Sequence, residues 1–232
     1  MRKYLFVVLF LSLCPQIVAC DSKTEKTFAE IESGLEQLEG IETLSYEYIT
    51  EITNENGTGS IGHVVEMNRN TGDYTYTMFV DEVPISENCY ENGMSYRKVN
   101  GDWYEAKDLT EPPYPADIIP EKGDIETVKR SESDGTVRIE IYLNDNALRQ
   151  RESNLREAGE DAVKSLEEWG ISDELTEAQQ ELNELHHNIR FIEEIRHYVI
   201  DENGVLIEYR EVLDYMDNGT AEHGEMIFCI KQ

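Results

Sequence analysis

The sequence predicts an α+β fold: a large curved antiparallel β-sheet, or half-barrel, with an N-terminal helix and a helical excursion covering its concave face. Three observations predict it. Apolar residues first recur at helical spacing, then alternate with polar residues through many short segments separated by tight-turn dipeptides, and later return to helical spacing before alternation resumes. Because such a sheet has one apolar face that must be hidden, the helices are expected to cover it.

The first helix is predicted to end at Gly40. Phe28, Ile31, Leu35 and Leu38 recur every three or four residues, which places them on one face of a helix, and glycine is a typical helix end. This apolar stripe is suited to packing on a sheet.

Beyond Gly40 the apolar period falls to two, which predicts β-strands. Leu44, Tyr46 and Tyr48 alternate with polar residues, and similar alternation continues through 61–67 and 74–80. Consecutive strands joined by tight turns form an antiparallel meander. The turns are predicted at Asn56-Gly57, 70–73, Asn92-Gly93 and Asn100-Gly101.

A loop is predicted over residues 109–120. Proline has no N–H to donate to a strand ladder, and this stretch holds four prolines. The hairpin expected after it pairs 125–131 with 137–143 around Asp134-Gly135.

Residues Asn146–Leu185 are predicted to form the helical excursion. Leu148, Leu155 and Trp169 belong to a long amphipathic stripe, and a capping box at Thr176 opens a second helix. The excursion is expected to lie over the concave face and to act as a lid if a hollow exists beneath it. Strands resume at Ile189, with turns at Asn203-Gly204 and Asn218-Gly219, and no change of composition marks a second domain.

The N-terminus has the architecture of a signal peptide. Arg2 and Lys3 precede an apolar run, Tyr4–Leu13, that is too short to span a bilayer as a permanent helix. The run closes on Ile17-Val18-Ala19-Cys20, which resembles the lipobox of bacterial lipoproteins. A plain signal peptide cleaved after Ala19 is the alternative.

The lipobox resemblance implies cleavage before Cys20 and acylation of that cysteine with fatty acids such as palmitate. Residues 1–19 would then be the lipoprotein signal peptide, 20–26 the lipidated cysteine and a short tether, and 27–232 the folded domain. Two acyl chains give stable anchoring. The resemblance therefore predicts a lipid anchor on the extracytoplasmic face of a cell membrane.

The chain is strongly acidic, with 49 Asp and Glu against 20 Lys and Arg and a net charge of -29. Residues 1–19 contain two basic and no acidic side chains, so their removal makes the charge more negative. This charge excludes nucleic acid as a partner, because phosphate binding needs a basic surface. The acidity is typical of a soluble, self-repelling surface protein.

The folded domain retains two cysteines, Cys89 and Cys229, because Cys14 leaves with the signal and Cys20 carries lipid. One pair in an oxidising compartment can form a disulfide, and two free thiols are the equal alternative. With no Cys-X-X-Cys and no histidine at ligand spacing, the sequence predicts neither a metal site nor a cofactor.

Two stretches carry a further resemblance. Tyr90–Tyr96 followed by Asn100–Tyr104 forms an aromatic double hairpin with two Asn-Gly turns, and Tyr198–Tyr209 forms a hairpin with one. In this pattern the chain resembles the LolA/LolB/LppX-like lipoproteins. That resemblance implies a curved unclosed barrel, with helices packed into its mouth, whose apolar hollow receives a lipid or an acylated protein in some members.

Two hypotheses about function remain open at this stage. The first is a membrane-anchored binding or sensor module that holds an apolar ligand or an acylated partner, and the second is a structural or interaction lipoprotein of the cell envelope with a filled core. Some side chains are expected to line the hollow under the first hypothesis and to pack in the core under the second. Those side chains are Tyr46, Tyr48, Met67, Tyr74, Tyr76, Met78 and Trp169.

No catalytic signature is found in the sequence. It has no Gly-x-Ser-x-Gly elbow, no His-Glu-x-x-His and no phosphate loop, and with so many acidic residues any carboxylate spacing arises by chance. The chain is therefore not expected to be an enzyme.

Overall fold

The computed structural model describes residues 24–107, 112–115, 118–169 and 189–231. Within these ranges the chain forms two helices, eleven strands and one short 3-10 turn. In chain order they are α1 (24–39), β1 (Thr43–Asn54), β2 (Gly57–Asn68), β3 (Tyr74–Val80), β4 (Val83–Glu91), β5 (Met94–Val99), β6 (Asp102–Glu105), the 3-10 turn (Lys122–Asp124), β7 (Ile125–Ser133), β8 (Thr136–Leu143), α2 (Asp145–Trp169), β9 (Arg190–Ile200), β10 (Leu206–Asp217) and β11 (Thr220–Ile230).

All eleven strands belong to one curved antiparallel sheet, ordered β6-β5-β4-β3-β2-β1-β11-β10-β9-β8-β7. The chain builds outward from β1 to β6, crosses to β7 at the opposite edge, and returns until β11 pairs with β1. Since β6 and β7 occupy opposite ends of this order, the sheet is not closed into a barrel. The predicted α+β half-barrel is confirmed.

Tight turns connect neighbouring strands where the sequence predicts them. In the β4–β5 hairpin, Asn92 and Gly93 have φ of 53° and 80°, the left-handed conformation that the primed hairpin turns require. The β3–β4 hairpin differs, because Asp81 and Glu82 take φ of 48° and 65° without a glycine. The sequence prediction missed this turn, since the pair has no glycine or Asn-Gly dipeptide and glutamate is rare at such angles.

The core lies where α1 covers the concave face of the sheet. Phe28, Ile31 and Leu38 of α1 are buried in one cluster with Tyr46 of β1 and Phe228 of β11. The apolar stripe predicted for the first helix is therefore the face that packs on the sheet.

The proline-rich segment between β6 and β7 crosses this concave face. The Tyr46 hydroxyl donates a hydrogen bond to the carbonyl oxygen of Pro113 at 3.1 Å, and the Tyr198 hydroxyl donates to that of Ile118 at 2.5 Å. Side chains of the sheet thus supply partners for backbone groups that have no strand ladder.

Helix α2 begins next to β8 and docks on β9. The Asn144 side chain caps it by accepting a hydrogen bond from the backbone N–H of Ala147 at 3.0 Å. Leu148 is buried beneath its first turns. Part of the predicted excursion therefore covers the sheet, while residues 170–188, including the second predicted helix, lie outside the described residues. Neither α1 nor α2 is both long and apolar enough to span a bilayer.

Candidate functional site

A groove of about 690 Å³ lies between α2 and the concave face of β1, β11, β10 and β9. The strand register places Ile52 of β1, Gly224 of β11 and Leu213 of β10 side by side across its base. Ile52 is 45% exposed and Leu155 of α2 is 37% exposed, so apolar surface is open to solvent here. The apolar wall consists of Ile52, Leu155, Ile189, Phe191, Leu213, Tyr215 and Met226.

Gly224 leaves part of this groove empty. A Cβ atom added there would come no nearer than 3.8 Å to any atom, which is ordinary contact distance, and the φ of this residue is not in the left-handed region. The glycine is therefore not required by the backbone conformation. Its effect is to leave space between the side chains of Ile52 and Leu213.

A cluster of ion pairs forms the polar end of the groove. Arg151 of α2 contacts Glu194 of β9, with 2.8 Å between Nη1 and Oε2, and it also pairs with Glu211 of β10. Arg196 holds the second oxygen of Glu194, with 2.9 Å between Nε and Oε1. Glu194 is only 1% exposed, so its charge depends on these two guanidinium groups.

The ion cluster separates the apolar groove from a second hollow of about 560 Å³. Arg151, Asn154 and Glu211 line both spaces. Most residues that line the second hollow are polar, among them Glu121 just before the 3-10 turn and Asp124 at its end. The site is therefore amphipathic, with an apolar part and a polar part that meet at Arg151.

Burial and the neighbouring carboxylates together shift the pKa values of Tyr209 and Arg151, which lie next to this boundary. Burial, followed by the Glu211 carboxylate, raises the pKa of Tyr209 above its ordinary value, so the phenol stays neutral and donates to Glu211 at 3.2 Å. Burial disfavours the charge of Arg151, but the carboxylates of Glu211 and Glu194 outweigh it and raise the pKa of Arg151. Arg151 is therefore positively charged at neutral pH.

Helix α2 fixes one wall of the groove through the backbone of Phe191. The Phe191 N–H donates to Glu152 at 2.7 Å, and its carbonyl oxygen accepts a hydrogen bond from Arg149 at 2.6 Å. The Phe191 ring packs edge-on against Tyr215, with centroids 6.1 Å apart. Because β9 is bulged against β10 here, these backbone groups obtain from α2 the partners that a regular ladder would supply.

Comparison with known proteins gives only loose structural likeness. No protein-family model and no curated protein sequence matches this chain. The lipoprotein LppX from Mycobacterium tuberculosis is similar over 88% of this chain and 92% of its own, with 10% identity and a TM-score of 0.42. A putative outer membrane lipoprotein-sorting protein domain from Vibrio parahaemolyticus is similar over 82% and 83%, with 5% identity and a TM-score of 0.20.

A β-barrel-like protein of the domain of unknown function DUF1849 from Brucella abortus is similar over 82% of this chain and 98% of its own. Its identity is 8% and its TM-score 0.21. At these TM-scores the likeness says nothing about a ligand, so what this chain binds has to be inferred from its own side chains.

The predicted side chains on β1, β2 and β3 share the concave face. The register aligns Tyr46 with Tyr76 through β2, and likewise Tyr48 with Met78. Tyr46 and Tyr76 are buried, however, and none of the predicted residues whose side chains are described contributes to the groove wall. Met67 and Tyr74 lie at the opposite end of the face, and the side chain of Trp169 lies outside the described residues.

Cys89 and Cys229 are both free thiols in this structure, which favours the second alternative, two free thiols, over the disulfide. Three strands separate β4 from β11. Four strand spacings of about 4.8 Å place the two residues roughly 19 Å apart along the sheet, whereas a disulfide needs Cα atoms within about 7 Å. Burial is the largest cause that raises the pKa of each thiol, which makes both less reactive.

The sequence prediction missed the ion cluster. One feature of the sequence could have indicated it. Arg151 lies three residues after Leu148 and four before Leu155, so it places a charge within the apolar stripe of the helix. Glu194 was a weaker indication, because it is an acidic residue at an inward-facing position of a strand. In the described ranges, no group of three or more His, Cys, Asp or Glu side chains is placed to hold a metal ion.

Proposed function

We propose that this protein is a membrane-anchored extracytoplasmic lipoprotein whose domain is a non-enzymatic binding or sensor module for an apolar ligand or an acylated partner. The observation that carries the proposal is the groove of about 690 Å³ between α2 and the sheet. Its size falls within the range of roughly 300–1,000 Å³ that is usual for ligand sites, which are mostly apolar with a few polar groups.

The physical reason for binding is the apolar surface that the groove leaves in contact with water. Seven apolar side chains form its wall, and among them Ile52 and Leu155 are more than one-third exposed. An aliphatic chain inserted between α2 and the sheet would remove this surface from water, which is favourable in proportion to the area covered. The partly exposed wall is typical of a binding groove rather than a filled core.

The ionised groups of the site support binding rather than catalysis. Both oxygens of Glu194 face guanidinium groups, and Glu211 is held by Arg151. A general base needs a carboxylate that is free to take a proton from a substrate. In the described part of the site, the buried carboxylates are already committed to these ion pairs.

The N-terminal sequence supports the membrane anchor. Helix α1 begins at residue 24, so the last three residues of the tether predicted over 20–26 are helical, and the four residues after Cys20 span at most about 14 Å. The Oε1 atom of Glu25, near the start of α1, lies 3.8 Å from Nζ of Lys122, and Lys122 lies in the chain between Glu121 and Asp124 of the polar hollow. An anchor at Cys20 would therefore hold the two hollows close to the membrane surface.

The anchor is tested by the Cys20→Ser variant in the producing cell. We expect this variant to lose metabolic labelling by fatty acids and to move from the detergent phase to the aqueous phase in a phase separation, because the acylated thiol is gone. Unchanged lipid labelling would contradict the lipoprotein assignment.

The groove is tested by filling it. Gly224→Leu adds an isobutyl group to the base of the groove without backbone strain, and Gly62→Leu on β2 is a matched control. In the register Gly62 pairs with Ile49, on the face of the sheet opposite Ile52 and Gly224. Both are made in the mature chain, residues 20–232, with Cys20→Ser so that no attached lipid competes for the site.

The readout is the fluorescence of N-phenyl-1-naphthylamine, a neutral apolar dye that brightens when it leaves water. We expect Gly224→Leu to weaken dye binding at least about tenfold, because the inserted side chain occupies the space of the ligand. Gly62→Leu should bind like the parent chain. Absence of dye binding to the parent chain would favour the alternative, a structural or interaction lipoprotein that has no ligand site.

A further inference from the structure

We propose that the groove selects aliphatic ligands whose polar end carries no negative charge, an inference that rests on the binding function proposed above. It is carried by the ion cluster at the junction of the apolar groove and the polar hollow. A ligand whose chain fills the groove would place its polar end at Arg151, because Arg151 is shared by both spaces.

The cluster is internally neutralised. Arg151 and Arg196 contribute two positive charges, and Glu194 and Glu211 contribute two negative charges. Every one of these groups has a partner of opposite sign within the cluster. Arg151 bridges two carboxylates from neighbouring strands, so these carboxylates neutralise its positive charge when no ligand is bound. A free arginine in such a position would attract an anionic head group, and this one does not offer that attraction.

The described part of the groove wall holds no second lysine or arginine that could take the place of Arg151. Arg151 is the one cation among the described residues of the groove wall. The adjoining polar hollow has the carboxylates of Glu121 and Asp124 in excess over its two arginines.

An anionic head group would therefore lose its hydration at the junction without gaining a cation. The cost of removing a charge from water is repaid only by a close opposite charge or by several hydrogen bonds. An uncharged hydroxyl or ester group pays a much smaller desolvation penalty, and the side chains of Gln150 and Asn154 in the hollow can hydrogen-bond to it.

The experiment compares two ligands with the same acyl chain. Laurate and its monoacylglycerol, monolaurin, displace N-phenyl-1-naphthylamine from the mature chain with Cys20→Ser, each below its micelle concentration and at a pH where laurate is ionised. We expect monolaurin to compete at least about tenfold more strongly than laurate, because only laurate brings an uncompensated charge to the junction.

Two further variants identify the cluster as the cause of this selectivity. Glu211→Gln removes one carboxylate from Arg151 and leaves the cluster with a net positive charge. Glu208→Gln is the control: it lies on the same strand, faces the opposite side of the sheet and contacts Arg210 at 3.6 Å. We expect Glu211→Gln to reduce the preference for monolaurin to about threefold or less and Glu208→Gln to leave it unchanged.

The outcomes separate this inference from the function on which it rests. Equal or stronger competition by laurate in the parent chain would overturn the charge selectivity and leave the binding function standing. An unchanged preference in Glu211→Gln would also overturn it, since the cluster would not be its source. If neither ligand nor the dye binds, the proposed function fails and the selectivity fails with it.

Discussion

Substitution of Tyr46 tests whether the part of the concave face under α1 is a filled core. The Tyr46 side chain is fully buried, and its ring centroid lies 5.1 Å from that of Phe228 and 5.8 Å from that of Tyr114. Its hydroxyl donates to the carbonyl oxygen of Pro113 at 3.1 Å. Tyr46 therefore joins β1, β11 and the proline-rich crossing segment.

The structure sets the expected magnitudes. Tyr46→Ala removes a buried aromatic ring and leaves a cavity, which typically lowers the free energy of unfolding by about 3–5 kcal/mol. Tyr46→Phe keeps the ring and removes only the hydroxyl that satisfies the Pro113 carbonyl, which typically costs about 0.5–1.5 kcal/mol. In a domain of this size each kcal/mol shifts the Tm by roughly 2–4 °C, so the alanine variant should melt well below the phenylalanine variant.

Urea unfolding followed by circular dichroism measures these changes. Tyr104→Ala on β6 is the control, because its side chain is 57% exposed and truncating it should change stability by about 0.5 kcal/mol or less. The reasoning would be refuted if Tyr46→Ala cost no more than Tyr104→Ala, since Tyr46 would then face an open space. Dye binding by folded Tyr46→Ala should match the parent chain, because Tyr46 is not in the groove wall.

Two further predictions concern the other face of the sheet. The Nδ1 atom of His223 lies 2.6 Å from Asp214, and its Nε2 atom lies 3.0 Å from Glu225. Hydrogen bonds to these two carboxylates raise the pKa of His223. The protonated imidazole therefore stabilises the fold below the ordinary histidine pKa, and this stabilisation is lost as the pH rises through the raised pKa. Between the ordinary and the raised pKa, the free energy of unfolding should therefore fall more steeply with pH for the parent chain than for His223→Gln. Parallel pH profiles of the two chains would contradict the ion pairing. Thiol titration of the unfolded, unreduced mature chain with Cys20→Ser should find both Cys89 and Cys229 free, and a single intramolecular disulfide in a mass spectrum would contradict the strand order.

Local patterns were sufficient to predict the strands and most of the turns. Alternation of apolar and polar residues, as in Leu44, Tyr46 and Tyr48, depends only on which face each side chain takes, and that face follows from the chain itself. An Asn-Gly dipeptide likewise favours a turn whatever surrounds it. The turn at Asp81 and Glu82 escaped prediction because it has no glycine or Asn-Gly dipeptide. Contacts with Ser60 of β2 accompany its left-handed backbone: the Asp81 N–H donates to the Ser60 carbonyl oxygen at 3.0 Å, and the Asp81 carboxylate accepts from the Ser60 N–H at 2.8 Å.

The candidate site could be predicted only in outline. Alternation indicates that Tyr46 and Tyr48 face inward, but it does not say which part of a curved face is covered by α1 and which part is left open. That depends on how helices from distant parts of the sequence pack on the sheet. Ile52 continues the same strand and the same alternation, yet it lies in the open groove.

The sequence by itself determined a sheet with one apolar face, helices able to cover it, an acidic surface and a lipobox-like N-terminus, because each of these depends on composition or on neighbours along the chain. The tertiary structure alone decided that Arg151 meets Glu194 and Glu211, and that Cys89 and Cys229 lie too far apart to bond. These features depend on strand order, which pairs β1 with β11 across nearly the whole chain. No local pattern encodes that order, since it is fixed by the burial of the entire apolar face at once.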